Sequence, residues 1–114
     1  MRLEALELRR IGMPLVAPFE TSFGVQVERD ILLLKAITDT GEGWGECVAG
    51  EEPTYSPEYV DGAQQVILQH LSPRLFARED LAAADVATIL RPVHGHQMAK
   101  AALEMALLDA EQRA

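Results

Sequence analysis

The chain has 114 residues, of which 48% are hydrophobic, so it is one domain or part of one, with a thin core. A net charge of -8 excludes a nucleic-acid binder, which needs a basic footprint, and a single cysteine, Cys47, excludes an internal disulfide or a multi-cysteine zinc site. No apolar run approaches a membrane span, and Glu4 and Glu7 interrupt the region where a signal peptide would carry its apolar core, so a cytoplasmic protein with no membrane partner is expected.

From Arg2 to Met13, Leu6 and Leu8 alternate with Glu7 and Arg9, the pattern of a half-buried strand. The phase slips between Leu8 and Ile11, which predicts a bulge or strong twist near Arg9 and Arg10. Met13 to Gly24 holds Pro14 and Pro18, which cannot donate to a ladder, so a long loop is expected there. Within it Phe19 and Phe23, four apart, have Thr21 and Ser22 between them, a composition suited either to a ligand wall with hydroxyl donors or to plugging the local core.

Val25 to Thr38 contains Ile31-Leu32-Leu33-Leu34, apolar on both faces, as in a central strand. Asp39-Thr40-Gly41 reads as a tight turn, with Asp39 bonding the following backbone and Gly41 at positive φ. Trp44 to Ala49 returns as a third strand, Gly43 and Gly45 leaving room for the indole to pack closely. Gly50 to Tyr55 forms a second loop. Ser56, Pro57 and Glu58 then start a helix that Pro73 closes, with Gly62 marking a close contact. Asp80 caps a shorter helix ended by Pro92, with Ala84, Ala87 and Leu90, or Val86, Ile89 and Leu90, turned inward. A third helix runs from about His96 to Arg113 with an inward stripe of Met98, Ala101, Ala102, Met105, Leu108 and Gln112. The expected class is α+β: a three-stranded antiparallel meander followed by about three helices on one face.

Chemical motifs are sparse. His94 and His96 flank Gly95 and do not share a helix face as an i, i+4 pair does, so they favour capping over metal binding. Cys47 has no adjacent base and reads as a small buried hydrophobe. Glu42, Trp44 and Glu46 share a strand face, and the carboxylates read as solvated. Gly41 to Gly45 has no following helix and is no phosphate cradle. The residues alone offer a ligand-facing pair of loops and no catalytic set.

Three stretches nevertheless match a known pattern: Leu8 to Gly24, the run Gly41-Glu42-Gly43-Trp44-Gly45-Glu46-Cys47, and the helix Met98 to Asp109. Together they resemble the N-terminal capping domain of the enolase superfamily, in the muconate-lactonizing-enzyme-like group that holds o-succinylbenzoate synthases, an activity of menaquinone biosynthesis, and N-acylamino acid racemases. The resemblance implies a following (β/α)8 barrel, absent from this chain, that carries the catalytic lysines and binds one Mg2+. It implies proton abstraction alpha to a carboxylate of a small substrate, homo-oligomers of the full-length enzyme, and inactivity of the 114 residues alone. By the same resemblance Phe19, Thr21, Ser22 and Phe23 close over the barrel mouth, and Gly50 and Tyr55 belong to a loop that shapes the pocket. Glu20 and the run Gly50, Glu51 and Glu52 depart from the group's pattern and bear on which acyl arm is preferred. A stand-alone interaction module, or the cap of a dipeptide epimerase or muconate cycloisomerase, are the alternatives.

Overall fold

The computed structural model describes the backbone of residues 1–21, 24–47 and 58–114, and the side chains of residues 1–11, 31–47 and 58–114. Strands β1 (Leu3–Thr21), β2 (Gly24–Thr38) and β3 (Glu42–Cys47) form an antiparallel sheet in the order β1-β2-β3. As the double-sided apolar run requires, β2 is central, with Leu32 and Leu34 fully buried.

β1 is longer than its proline content predicts. Its pairing with β2 continues through Met13↔Arg29 and Pro14↔Glu28, shifts register, and resumes at Phe19↔Gln26, Glu20↔Val25 and Thr21↔Gly24. The expected loop from Met13 to Gly24 is therefore a two-stranded arm. The prolines interrupt the ladder only locally, as they can at the edge of a sheet, where β1 stands in the described order. Nor is there a bulge at Arg9 and Arg10, where the register is continuous. The phase slip has another origin. Ile11 pairs with Ile31 on the outer face, while Arg10 occupies the inner face beside Leu8.

The β2–β3 turn is closed by Thr38 rather than Asp39. The Thr38 hydroxyl donates to the Gly41 carbonyl at 2.6 Å and accepts from the Gly41 amide at 3.0 Å. The Asp39 carboxylate instead accepts the Arg2 amide at 2.7 Å, which ties the turn to β1. Gly41 does not adopt positive φ. A Cβ there would sit 3.2 Å from the Ala110 carbonyl, so the residue is small because a helix lies against it.

That helix is α4 (Gln97–Arg113), and the glycines of β3 face it. A Cβ on Gly43 would meet the Ala106 carbonyl and Ala110 amide at 2.2 Å, and one on Gly45 the Ala102 carbonyl at 2.2 Å. The indole takes the opposite face. Trp44 is 39% exposed, with the Arg9 guanidinium 5.8 Å and the Lys35 ammonium 5.6 Å from its ring, and Lys35 also bridges the solvated Glu42 at 3.1 Å. Room left by Gly43 and Gly45 thus goes to a helix backbone and not to the tryptophan.

Three helical segments cover the inner face. The first comprises α1 (Val60–Val66), a π-helical turn (Ile67–Leu71) and α2 (Ser72–Phe76). Pro73 does not close it, because the wider turn has already shifted the bonding. The Ser72 amide donates five residues back to Ile67, and Pro73 falls in the first turn of α2, where no amide donor is needed. The Tyr59 ring lies against Gly62, 3.0 Å from where a Cβ would be. The proposed start at Ser56 and Pro57 lies outside the described residues.

A 3-10 turn (Ala83–Asp85) leads into α3 (Val86–Leu90), whose buried residues are Val86 and Leu90, with Ile89 partly buried, while Ala84 and Ala87 are exposed. Asp80 is not its cap but pairs with the N-terminal ammonium at 3.5 Å, and the Ala82 amide is bonded by Asp85 at 3.3 Å. In α4 (Gln97–Arg113) the buried residues are Ala99, Ala102, Leu103, Ala106, Leu107 and Ala110. The expected stripe is rotated. Met105 and Leu108 are 50% and 43% exposed, because helix and sheet approach along the alanine side that the glycines accommodate. No (β/α)8 barrel occurs among the described elements.

Candidate functional site

The two segments singled out as ligand-facing leave the same end of the sheet. Leu32, fully buried in β2, pairs with Arg10 of β1 on one side and with Cys47, the last residue of β3, on the other. Beyond that point the described pairing is two-stranded and becomes the β1–β2 arm, while the chain leaves β3 into residues 48–57. One buried residue thus marks the root of both segments.

Of the expected site residues, Phe19 and Thr21 belong to the backbone of the arm, paired with Gln26 and Gly24. Their side chains, and all of Ser22, Phe23, Gly50 and Tyr55, lie outside the described residues.

Glu58 and Arg10 secure the surroundings of the roots through contacts that the sequence reading did not assign. The Glu58 carboxylate accepts from the Met98 amide at 2.8 Å and the Ala99 amide at 3.4 Å, satisfying unpaired donors at the start of α4. Arg10 reaches across to α1, its Nη1 lying 2.5 Å from Asp61 Oδ1 and 3.5 Å from Gln64 Oε1. The available signal was Arg10 itself, a cation on the apolar face of a strand, which requires an acidic partner on whatever packs there.

The carboxylates held below their ordinary value belong to the scaffold. The Trp44 amide, with Arg113 beside it, holds Asp109 down, and the Arg2 amide does the same for Asp39. His96 enters α4 in a left-handed conformation with φ 57, and its carbonyl accepts the Lys100 amide. Cys47 is a buried thiol. Among the described residues no three His, Cys, Asp or Glu side chains approach closely enough to hold a metal, and no helix is long and apolar enough to cross a membrane.

Comparison with known proteins identifies the family. Residues 5–114 match the model of the mandelate racemase / muconate lactonizing enzyme N-terminal domain. The chain belongs to this family. Within the enolase superfamily it is 59% identical over 114 residues to an N-succinylamino acid racemase of Amycolatopsis sp, covering 100% of this chain and 31% of that protein. It is 39% identical over 111 residues to an o-succinylbenzoate synthase of Enterococcus faecalis, covering 96% of this chain and 30% of that one. A crystal structure of an enolase-superfamily member from Enterococcus faecalis V583 superposes with a TM-score of 0.90 at 35% identity, over 99% of this chain and 31% of that one. The N-terminal domain thus spans about a third of the length of the relatives it matches.

Proposed function

We propose that residues 1–114 are the capping domain of a Mg2+-dependent enzyme that removes the proton alpha to a carboxylate. The favoured activities are N-acylamino acid racemisation, o-succinylbenzoate synthesis, or both. The observation that carries the reading is the common root at Leu32. Two segments that a cap needs at the mouth of a reaction chamber, the arm bearing Phe19, Thr21, Ser22 and Phe23 and the stretch bearing Gly50 and Tyr55, issue from one end of one sheet. The 59% identity to a protein named N-succinylamino acid racemase supports the choice of chemistry.

In this reading a (β/α)8 barrel in the same polypeptide is the partner. It holds the lysines and the acidic ligands of Mg2+. The metal, when bound, stabilises the negative charge that develops on the substrate carboxylate. This domain contributes the closing wall. Apolar rings over the chamber exclude water, and exclusion of water strengthens the electrostatic interactions of the barrel's charged groups with the substrate. The full-length enzyme is cytoplasmic and homo-oligomeric in this proposal.

The direct test is turnover of an N-succinylamino acid with Mg2+ by the polypeptide that carries this domain together with its barrel, and by the 114 residues alone. Turnover is expected from the former and none from the latter. Turnover by the 114 residues alone would move the chemistry into this domain and overturn the proposal.

A further inference from the structure

Arg10 stands at a mechanically special place. It is the inner-face residue of β1 opposite Leu32, the position where the three-stranded sheet gives way to the arm. On the same face Leu6 and Leu8 pack against the hydrophobic core, so a guanidinium there interrupts an apolar row. Among the groups that hold it are two one turn apart on α1, Asp61 at 2.5 Å and Gln64 at 3.5 Å. Asp61 lies in the first turn of α1, where the helix dipole also favours a carboxylate.

Global stability is a poor explanation for this pair. The Arg10 and Asp61 side chains are 37% and 71% exposed, and ion pairs so open to water contribute little. Direction is a better one. At about 3.3 Å per residue, Phe19 lies roughly 30 Å along the arm from Arg10, so a tilt of about 5° at the root displaces it by roughly 2–3 Å. A misplacement of about 1 Å in a reacting complex is enough to cost on the order of 100-fold in rate.

We propose that Arg10 is a positioning residue: by clamping the root of the arm to α1 through Asp61, it fixes where the arm carries Phe19 and Thr21. The role in catalysis rests on the capping reading above. The clamp itself does not.

The experiment has two parts. Backbone hydrogen exchange is measured on the 114-residue chain as Arg10→Ala, as Asp61→Ala, and with the pair reversed, Arg10→Asp with Asp61→Arg. Either single substitution is expected to speed exchange in residues 12–21 and 24–30 about tenfold, leave residues 32–38 protected, and be largely undone by the reversed pair. In the polypeptide that includes the barrel, the singles are expected to lower kcat/KM about tenfold, chiefly through KM, and the reversed pair to recover most of it. Unchanged exchange in the arm after both single substitutions overturns the clamp. Faster exchange in the arm with unchanged kcat/KM leaves the clamp standing and overturns the capping reading instead.

Discussion

A Cβ atom on Gly43 would lie 2.2 Å from the carbonyl oxygen of Ala106, inside the van der Waals envelope of a helix backbone. Gly45 repeats the relationship one turn away, at 2.2 Å from the Ala102 carbonyl. Sheet and helix touch here through main chain, and neither side has a flexible group that can yield.

Gly43→Ala and Gly45→Ala are therefore expected each to destabilise the domain by about 3 kcal/mol or more, the upper range for overpacking. Gly95→Ala is the control. Nothing lies within 4 Å of a Cβ there, so only its φ of +72 resists the side chain, and about 1 kcal/mol is expected. Urea unfolding followed by the fluorescence of Trp44, the sole tryptophan, ranks the three.

The same contact reverses the roles that hydrophobicity assigns within α4. Ala106 is fully buried whereas Met105 is 50% exposed. Met105→Lys is expected to change stability by no more than about 0.5 kcal/mol, while Ala106→Met costs about 3 kcal/mol. Equal effects in thermal unfolding would contradict the helix orientation.

Asp109 links α4 to the edge of the sheet by accepting the Trp44 amide at 2.9 Å, and this bond together with Arg113 keeps its carboxyl below the ordinary 3.8. A carboxylate with a depressed folded-state pKa contributes stability that is complete above its unfolded value and is lost as pH falls through the folded one. Asp109→Asn should therefore lower Tm at pH 7, and its deficit relative to the parent chain should shrink as pH falls below 3.8. A deficit that stays constant through that range would show that the charge of Asp109 does not matter.

Much of this architecture is legible in the residues. The double-sided run Ile31 to Leu34 identifies the central strand, and the order of elements identifies an α+β layering. The errors share a cause. Local rules treat Pro14 and Pro18 as ends, yet the strand continues past them with a register shift. They treat Pro73 as a stop, yet a π-helical turn absorbs it. They choose Met105 and Leu108 for the core of α4, although backbone proximity set by Gly43 and Gly45 rewards alanine there. At the candidate site the sequence indicates two segments, and only the fold reveals that both start at Leu32 and that Arg10 and Glu58 secure their surroundings.

The central claim is that this domain closes a chamber in which an α-proton is removed. It is tested most directly by the rate of deuterium incorporation at the α-carbon of an N-succinylamino acid in D2O, catalysed by the polypeptide that includes the barrel, with and without Phe19→Ala and Phe23→Ala. Removing the Phe23 ring is expected to forfeit about 1.5 to 3 kcal/mol of apolar contact, and so to slow exchange per unit of substrate by about 10- to 100-fold. Exchange rates left unchanged by both substitutions would contradict it.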